Sequence, residues 1–527
     1  MTALLLGPLL RHVDATSATI WVETDGPCEV GVGDASARTF EVSGHHYALV
    51  VLTGLEPARS TPYEVRLDGD VVWPEPGGEL PPSRIRTLSP GDSRFRLVFG
   101  SCRKPREQDA LGKDALAAYA RRMARLDEEE WPESLVLLGD QVYADETTED
   151  TQKWLASRRD TTKPPGTEVG DFEEYCHLYS EAWSDPAVRW LLSTLPTSMI
   201  FDDHDVRDDW NTSRAWRAEM ARTSWWQERI RGALVSYWIY QHLGNLGPGE
   251  LASDKVFQQV STSGTDNAEL LREFADHADR EADGAKGTRW SYRRDFGPVR
   301  LLVIDSRAGR ILEGGVRAMI GDDEFAWIEE QAAGDFDHLL VGTSLPWLLP
   351  TALSYAQSVN ERLCERPGPV GRAAEWFRQF ADLEHWPAFR TSFDRLGKLL
   401  ARVADDGAAS VNVLSGDVHH AYVARAEFPA GHAAPVHQLT CSPMHNTVPW
   451  YMNRVFRLGW ARWLTRLTGW FARRAGVPPT DLTWSCVSGP HFGNAVMTLD
   501  VDGRTAWATL QQPHGDELAD GATIRLT

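Results

Sequence analysis

Residues 135–145 read LVLLGDQVYAD, and the fold turns on that stretch. The apolar run Leu135 to Leu138 is short for a helix and suits a strand buried on both faces. Gly139 and Asp140 then mark the point where the strand ends and a loop begins. Asp140 is a hard oxygen ligand, and Tyr143 brings a phenol to the same loop. Carboxylate and phenolate both favour a hard trivalent metal, so the pair suits a ferric centre. Gly-Asp after a strand is common, and its weight depends on what stands at the ends of the other strands.

From Phe95 onward strand-like and helical segments alternate. Short apolar runs at 96–99, 198–201, 299–304, 338–341 and 411–414 read as further buried strands. A helical run rich in Trp is expected from about Ser213 to Leu243, with Gly244 as its C-cap. The alternation is that of an α/β layered domain. Ahead of it, residues 1–88 are β-rich: Ala18–Glu23, Tyr47–Leu52 and Tyr63–Leu67 are strand-like runs between turn residues, as in a sandwich. Gly54-Leu-Glu-Pro57 followed by Tyr63 resembles the leucine-to-tyrosine corner of fibronectin type III domains. The expected organisation is an all-β fibronectin III-like domain at 1–90 and a catalytic domain at 91–527, with helical insertions at about 146–290 and 450–476.

Composition narrows the function classes. A net charge of −21 argues against a nucleic-acid-coating surface, which would be basic. An anionic substrate would have to be drawn by a local positive site such as metal ions. The N-terminus lacks the basic region and cleavage site of a signal peptide, so a cytoplasmic location is expected. The 6 cysteines are scattered without a CxxC pair, which suits reduced thiols, one of them a possible ligand.

Several strands end in metal-type residues. Cys102 follows the first, Asp140 and Tyr143 the second, Asp202-Asp-His-Asp205 the third, and Asp417 with His419 the last. Asp417 and His419 are two apart and share a face if the chain there is extended. Ligands of open α/β sheets collect at the carboxyl ends of strands, so these turns point to one site.

The stretches GSCRKP, LLGDQVYAD, FDDHDV and LSGDVHHA resemble PhoD-type alkaline phosphatases within the calcineurin-like metallophosphoesterases, and the GDxxY element is similar to that of purple acid phosphatases. The resemblance implies a four-layer αββα sandwich behind the front domain. It also implies hydrolysis of phosphomonoesters and/or phosphodiesters by a metal-bound hydroxide at a dinuclear site of Fe³⁺ and Ca²⁺. Asp140 would bridge the metals, Cys102 and Tyr143 would ligate iron, and Asp417 and His419 would be the last ligand pair. Asp203 would stand where the superfamily has an Asn ligand, and His204 would approach the phosphoryl or leaving oxygen. The superfamily's histidine at the end of strand 339–341 is missing, and Asp417 replaces the first GHxH histidine. Both departures make the divalent site richer in oxygen, as Ca²⁺ prefers.

Arg307, in Asp305-Ser-Arg307, could contact phosphate or form an internal ion pair. Arg103 and Lys104 could supply positive charge at the mouth or lie on solvated surface. Asp202, Asp205, Asp208 and Asp209 read as supporting or solvated carboxylates rather than ligands. Other readings of the whole are a phospholipid-directed phosphodiesterase and a catalytically weak binding protein that keeps the fold.

Between Phe428 and Thr480 there is no Asp or Glu. There Trp460, Trp463, Leu467, Trp470 and Phe471 recur at helical spacing among arginines, a pattern of an interfacial helix resting on anionic lipid. The reading preferred from the sequence is nonetheless a lid helix packing its aromatic face on the catalytic domain.

Overall fold

The computed structural model describes residues 2–105, 111–312, 317–429, 431–515 and 517–527. It is a mixed α/β structure behind an all-β N-terminal region. In that region the strands Leu4–Val13, Ser17–Thr24, His45–Thr53 and Phe40–Val42 form one antiparallel sheet. Ala35–Arg38, Glu29–Val32, Val65–Leu67 and Asp70–Trp73 form a second.

Successive side chains of a strand point to opposite faces, and both faces of the first sheet are used. Ile20, Val22, Ala48 and Val50 pack into the sandwich core with Val30 and Val65. Their neighbours Trp21, Tyr47 and Leu49 belong to the large core of the rest of the chain. Buried polar contacts fix the angle between the two. The Arg11 guanidinium donates to the carbonyls of Thr197 (3.0 Å), Tyr240 (2.7 Å) and Gln241 (2.6 Å) and to Asn245 Oδ1 (3.2 Å). Tyr240 donates its hydroxyl to Glu23 at 2.9 Å.

The α/β part holds two sheets. In the six-stranded one, Arg94–Gly100, Ser134–Leu138 and Thr197–Ile200 run parallel and pair in register from Leu97↔Ser134 to Leu138↔Ile200. Their carboxyl ends therefore lie along one edge. In the seven-stranded sheet Val299–Ile304, His338–Thr343, Ser410–Ser415 and Val436–Thr440 run parallel. Leu301 and Val303 of this sheet share a core with Leu97, Phe99 and Leu137 of the other. Leu302 and Ile304 point the other way, to a core with Phe325 and Ile328 of helix Asp322–Gln331 and Leu396 and Leu400 of helix Arg390–Asp405. The sheets face one another with helices outside, which is the αββα sandwich expected.

The helical run expected over Ser213 to Leu243 is two helices, Arg214–Met220 and Trp226–Ser236, continued by a π-helical segment Tyr237–His242 and a 3₁₀ turn Leu243–Asn245. The chain turns back between them so that Trp216 meets Trp226 edge-on at 5.2 Å. Gly244 sits inside the 3₁₀ turn rather than capping a helix. A Cβ there would lie 2.4 Å from Cζ of Arg11, so the residue is glycine to admit that guanidinium. Arg11→Met should strand the buried acceptors and cost about 3 kcal/mol, read as a lower urea midpoint of the whole chain.

Candidate metal centre

Tight backbone turns bring the strand ends together. Gly139 has φ +104°, and a Cβ on it would lie 2.6 Å from Cβ of Asp202. A Cβ on Gly416 would lie 1.9 Å from Oγ of Ser101, so these glycines let two strand ends touch. Cys102 (φ 56°), Asp140 (51°), Asp417 (66°) and His419 (48°) all occupy the left-handed region. Such conformations cost free energy in L-residues and gather at functional sites, where the surroundings impose them. Part of the imposing frame is Asp205. Its buried carboxylate accepts from the backbone N–H groups of Asp140 (2.9 Å), Gln141 (3.2 Å), Val142 (3.2 Å) and Asp202 (2.9 Å). Burial pushes it up to about 7, while those bonds pull it down. It is a support, as the sequence suggested.

Two sets of potential ligand atoms converge. Cys102, Asp140 and His419 offer atoms within 4.8 Å of one another, and so do Asp140, Asp202 and Asp203. Asp140 belongs to both sets, the position a bridging carboxylate needs. The Tyr143 hydroxyl lies 3.5 Å from Oδ2 of Asp140 and accepts from the Asn446 amide at 2.9 Å. Asp140 Oδ1 and Asp202 Oδ2 are buried without a hydrogen-bond partner among the described residues. Burial and then the neighbouring carboxylates hold Asp140 well above the usual carboxylate range, despite His204. Burial and then Asp140 push the Cys102 thiol and the Tyr143 phenol up in turn. Burial lowers His419 to about 4, leaving a neutral imidazole, the ligating form. Orphaned oxygens and mutually repelling anions are what a cation would satisfy, so these residues fit a metal.

Other expected residues fall differently. The segment with Asp417 and His419 is a bend of left-handed residues, not extended chain, so the two side chains diverge. His419 joins the first set, whereas Asp417 Oδ2 meets His385 Nε2 at 2.7 Å. His420 points away and stacks on Phe456 with ring centres 4.2 Å apart. Arg307 is fully buried, and its guanidinium engages Asp202, Asp203 (3.1 Å) and Glu384 (2.5 Å). The internal ion pair is thus what the structure shows, and no donor is left to face solvent. Arg103 is also buried rather than at the mouth. It bonds Asp114 (2.8 Å) and the Ala182 carbonyl (2.6 Å), because Asp114 caps helix Ala115–Met123 and holds the arginine there. Lys104 pairs with Glu146 and lies 4.9 Å from the centre of the Tyr143 ring.

Sequence reasoning passed over Asp202 as a ligand atom and missed Glu384, His385, Asn446 and Asp145. Asp145 pairs with Nδ1 of His204 at 2.9 Å, and the His204 ring lies 4.7 Å from that of Tyr143. The GDQVYAD motif contained Asp145, and only the fold shows its partner. Glu384 and His385 precede a 3₁₀ turn, Trp386–Ala388, whose sequence carries no metal-site pattern.

Comparison with known proteins agrees with this architecture. A structure titled "Structure of PhoD" superposes with a TM-score of 0.58 at 12% identity, covering 99% of this chain and 88% of that one. A maltogenic amylase from S. marinus reaches a TM-score of only 0.17 at 10% identity, over 96% of this chain and 76% of that one, and carries no argument. No curated protein matches the chain. Residues 1–85 match a domain of unknown function (DUF7800), and residues 97–457 match the family model of PhoD-like phosphatases. The protein is therefore a phosphoric ester hydrolase built on the two-sheet α/β sandwich. It belongs to the PhoD-like phosphatase family.

Arg307→Met should leave two buried carboxylates, Asp202 and Asp203, without their cation, with Glu384 keeping Arg310, and cost about 3–5 kcal/mol of stability in chemical denaturation. A raised KM with an unchanged denaturation midpoint would instead assign the guanidinium to substrate.

Proposed function

We propose that the enzyme hydrolyses phosphomonoesters and/or phosphodiesters at a dinuclear centre of Fe³⁺ and Ca²⁺. The observation that carries this reading is the sharing of Asp140 between two ligand sets of different character. The first, Cys102, Asp140 and His419 with the phenol of Tyr143 beside them, mixes thiolate, carboxylate, imidazole and phenolate donors and suits iron. The second, Asp140, Asp202 and Asp203, is all carboxylate and suits Ca²⁺ better than Zn²⁺. Asp417, beside His385, supports the oxygen-rich side. When bound, the two ions would neutralise phosphoryl oxygens and acidify an attacking water.

The chain's own residues do the rest. Arg307 holds Asp202 and Asp203 in place while neutralising part of their charge. The Asp145 carboxylate accepts a hydrogen bond from Nδ1–H of His204, which leaves Nε2–H to protonate a leaving oxygen. Burial opposes charge on His204, but Asp145 together with Asp140 and Asp203 outweighs it and holds the imidazole well above its ordinary range. The ring against Tyr143 fixes its orientation. A general acid held this way contributes about 10²–10⁴-fold, most for poor leaving groups.

Metal analysis of the purified protein should find iron and calcium, with turnover of p-nitrophenyl phosphate or bis(p-nitrophenyl) phosphate. Neither metal and no turnover of either ester after reconstitution would overturn the reading. Asp140→Asn should lose both metals together, and retention of full activity would remove the bridging role. Tyr143→Phe should abolish the visible charge-transfer band of a ferric phenolate without unfolding the chain. His204→Ala should slow esters of alkyl alcohols by about 10²-fold or more and nitrophenyl esters much less. An equal loss for both classes would exclude the acid role.

A further inference from the structure

The segment rich in Arg and Trp folds as two helices, Trp450–Gly459 and Arg462–Ala475, and both present their large apolar residues to solvent. Trp450 is 69% exposed and Trp463 61%, and Leu458, Leu467, Trp470 and Phe471 are exposed with them. Phe456 apart, the side turned to the protein is the small one. Gly459 lies against Pro350 and Leu353, Gly469 against the Tyr355 ring, and Ala472 is buried. The lid arrangement, with its aromatic face packed inward, is thus not what the chain adopts. The neighbouring helix Pro369–Phe380, packed on the same supporting helix Thr351–Cys364, adds Trp376 (66% exposed) and Phe380 (70%), stacked 5.2 Å apart. Exposed apolar area of this extent marks an interaction surface.

Charge selects the partner. The two helices carry 6 arginines and no acidic residue, in a chain of net charge −21. Arg462, Arg466, Arg473 and Arg474 are all exposed, and among the described residues none pairs with a carboxylate. At 100° per residue, Arg462, Arg466 and Arg473 line one border of the stripe made by Trp463, Leu467, Trp470 and Phe471. A symmetric contact between two copies would set these arginines against themselves, at a cost in like-charge repulsion. No described helix is long and apolar enough to cross a membrane, so the surface would lie along one. We infer that this helical pair, with Trp376 and Phe380, docks the enzyme on an anionic phospholipid bilayer. Trp rings seat at the headgroup level, and the bordering arginines meet lipid phosphates.

The surface adjoins the metal centre. The chain passes from Asn446, which donates to Tyr143, directly into the first helix at Trp450. Phe456 on its inner side stacks on His420, next to His419. Docking would hold the site mouth near the bilayer plane, whichever ester the enzyme cleaves.

Flotation of the full chain with vesicles tests this. It should float with phosphatidylcholine mixed with phosphatidylglycerol, stay behind with phosphatidylcholine alone, and be released by added salt. R462Q/R466Q/R473Q should weaken partitioning about a hundredfold. W463S/L467S/W470S should abolish it, and both variants should hydrolyse a soluble chromogenic phosphate ester at the wild-type rate. No flotation with anionic vesicles, or equal flotation with neutral ones, would overturn the inference. So would a wild-type dimer that fails to float and that the serine variant dissociates, which would assign the surface to a second copy.

Discussion

Carboxylate crowding at the meeting edges of two sheets governs this structure. Asp140, Asp202, Asp203 and Glu384 are buried together, and like charges in a poorly solvated site repel strongly. Arg307 covers one side of the cluster by engaging Asp202, Asp203 and Glu384 at once. Arg310 adds a second contact to Glu384 at 3.2 Å. The other side is left with partnerless oxygens on Asp140 and Asp202. A buried charge without a partner is costly, so a cation held at that side would satisfy these oxygens and stabilise the fold. The left-handed backbone at Cys102, Asp140 and His419 follows from the same need. Donors reach a common point only if each strand turns sharply at its end.

How much of this was legible depends on the range of the interaction. Cys102, Asp140 and His419 could be read because each follows the end of a buried strand within four residues, and parallel strands place their ends on one edge. Asp202 sits in the same kind of position, but the sequence could not distinguish it from its acidic neighbours. The difference is Arg307, a residue far along the chain that takes one oxygen of Asp202 and leaves the other free. His385 and Glu384 were invisible for a related reason. They come from an irregular segment whose place beside Asp417 and Arg307 is set only by the packing of the outer helices. Arg103 shows the reverse error. Its position beside the candidate ligand Cys102 suggested the mouth, yet the helix cap Asp114 captured it.

The N-terminal region carries a similar lesson about layers. Strand alternation in Ser17–Thr24 and His45–Thr53 is weak in the sequence because both faces are apolar. The structure supplies the cause: one face fills the sandwich and the other fills the main core. Arg11 then crosses between the two parts and bonds the segment around Thr197 and Asn245, beside the strand that leads to Asp202. The front sheet is therefore part of the support of the metal centre, reached through the strand Thr197–Ile200.

Periodicity alone cannot say which face of a helix is buried, and the Arg462–Ala475 helix shows why. Two stripes repeat along it at helical spacing, one of Gly469 and Ala472 and one of Trp463, Leu467, Trp470 and Phe471. The usual rule would bury the large stripe, since it removes more apolar area from water. Here the supporting helix approaches too closely for that. A Cβ on Gly459 would lie 2.7 Å from Pro350, and one on Gly469 would lie 3.3 Å from the Tyr355 ring. Such close approach admits only small residues, and the 100° step then turns Trp463, Leu467, Trp470 and Phe471 outward. The aromatic face is exposed because the small one is needed for packing, and that leaves its own apolar area to be covered by something outside the chain.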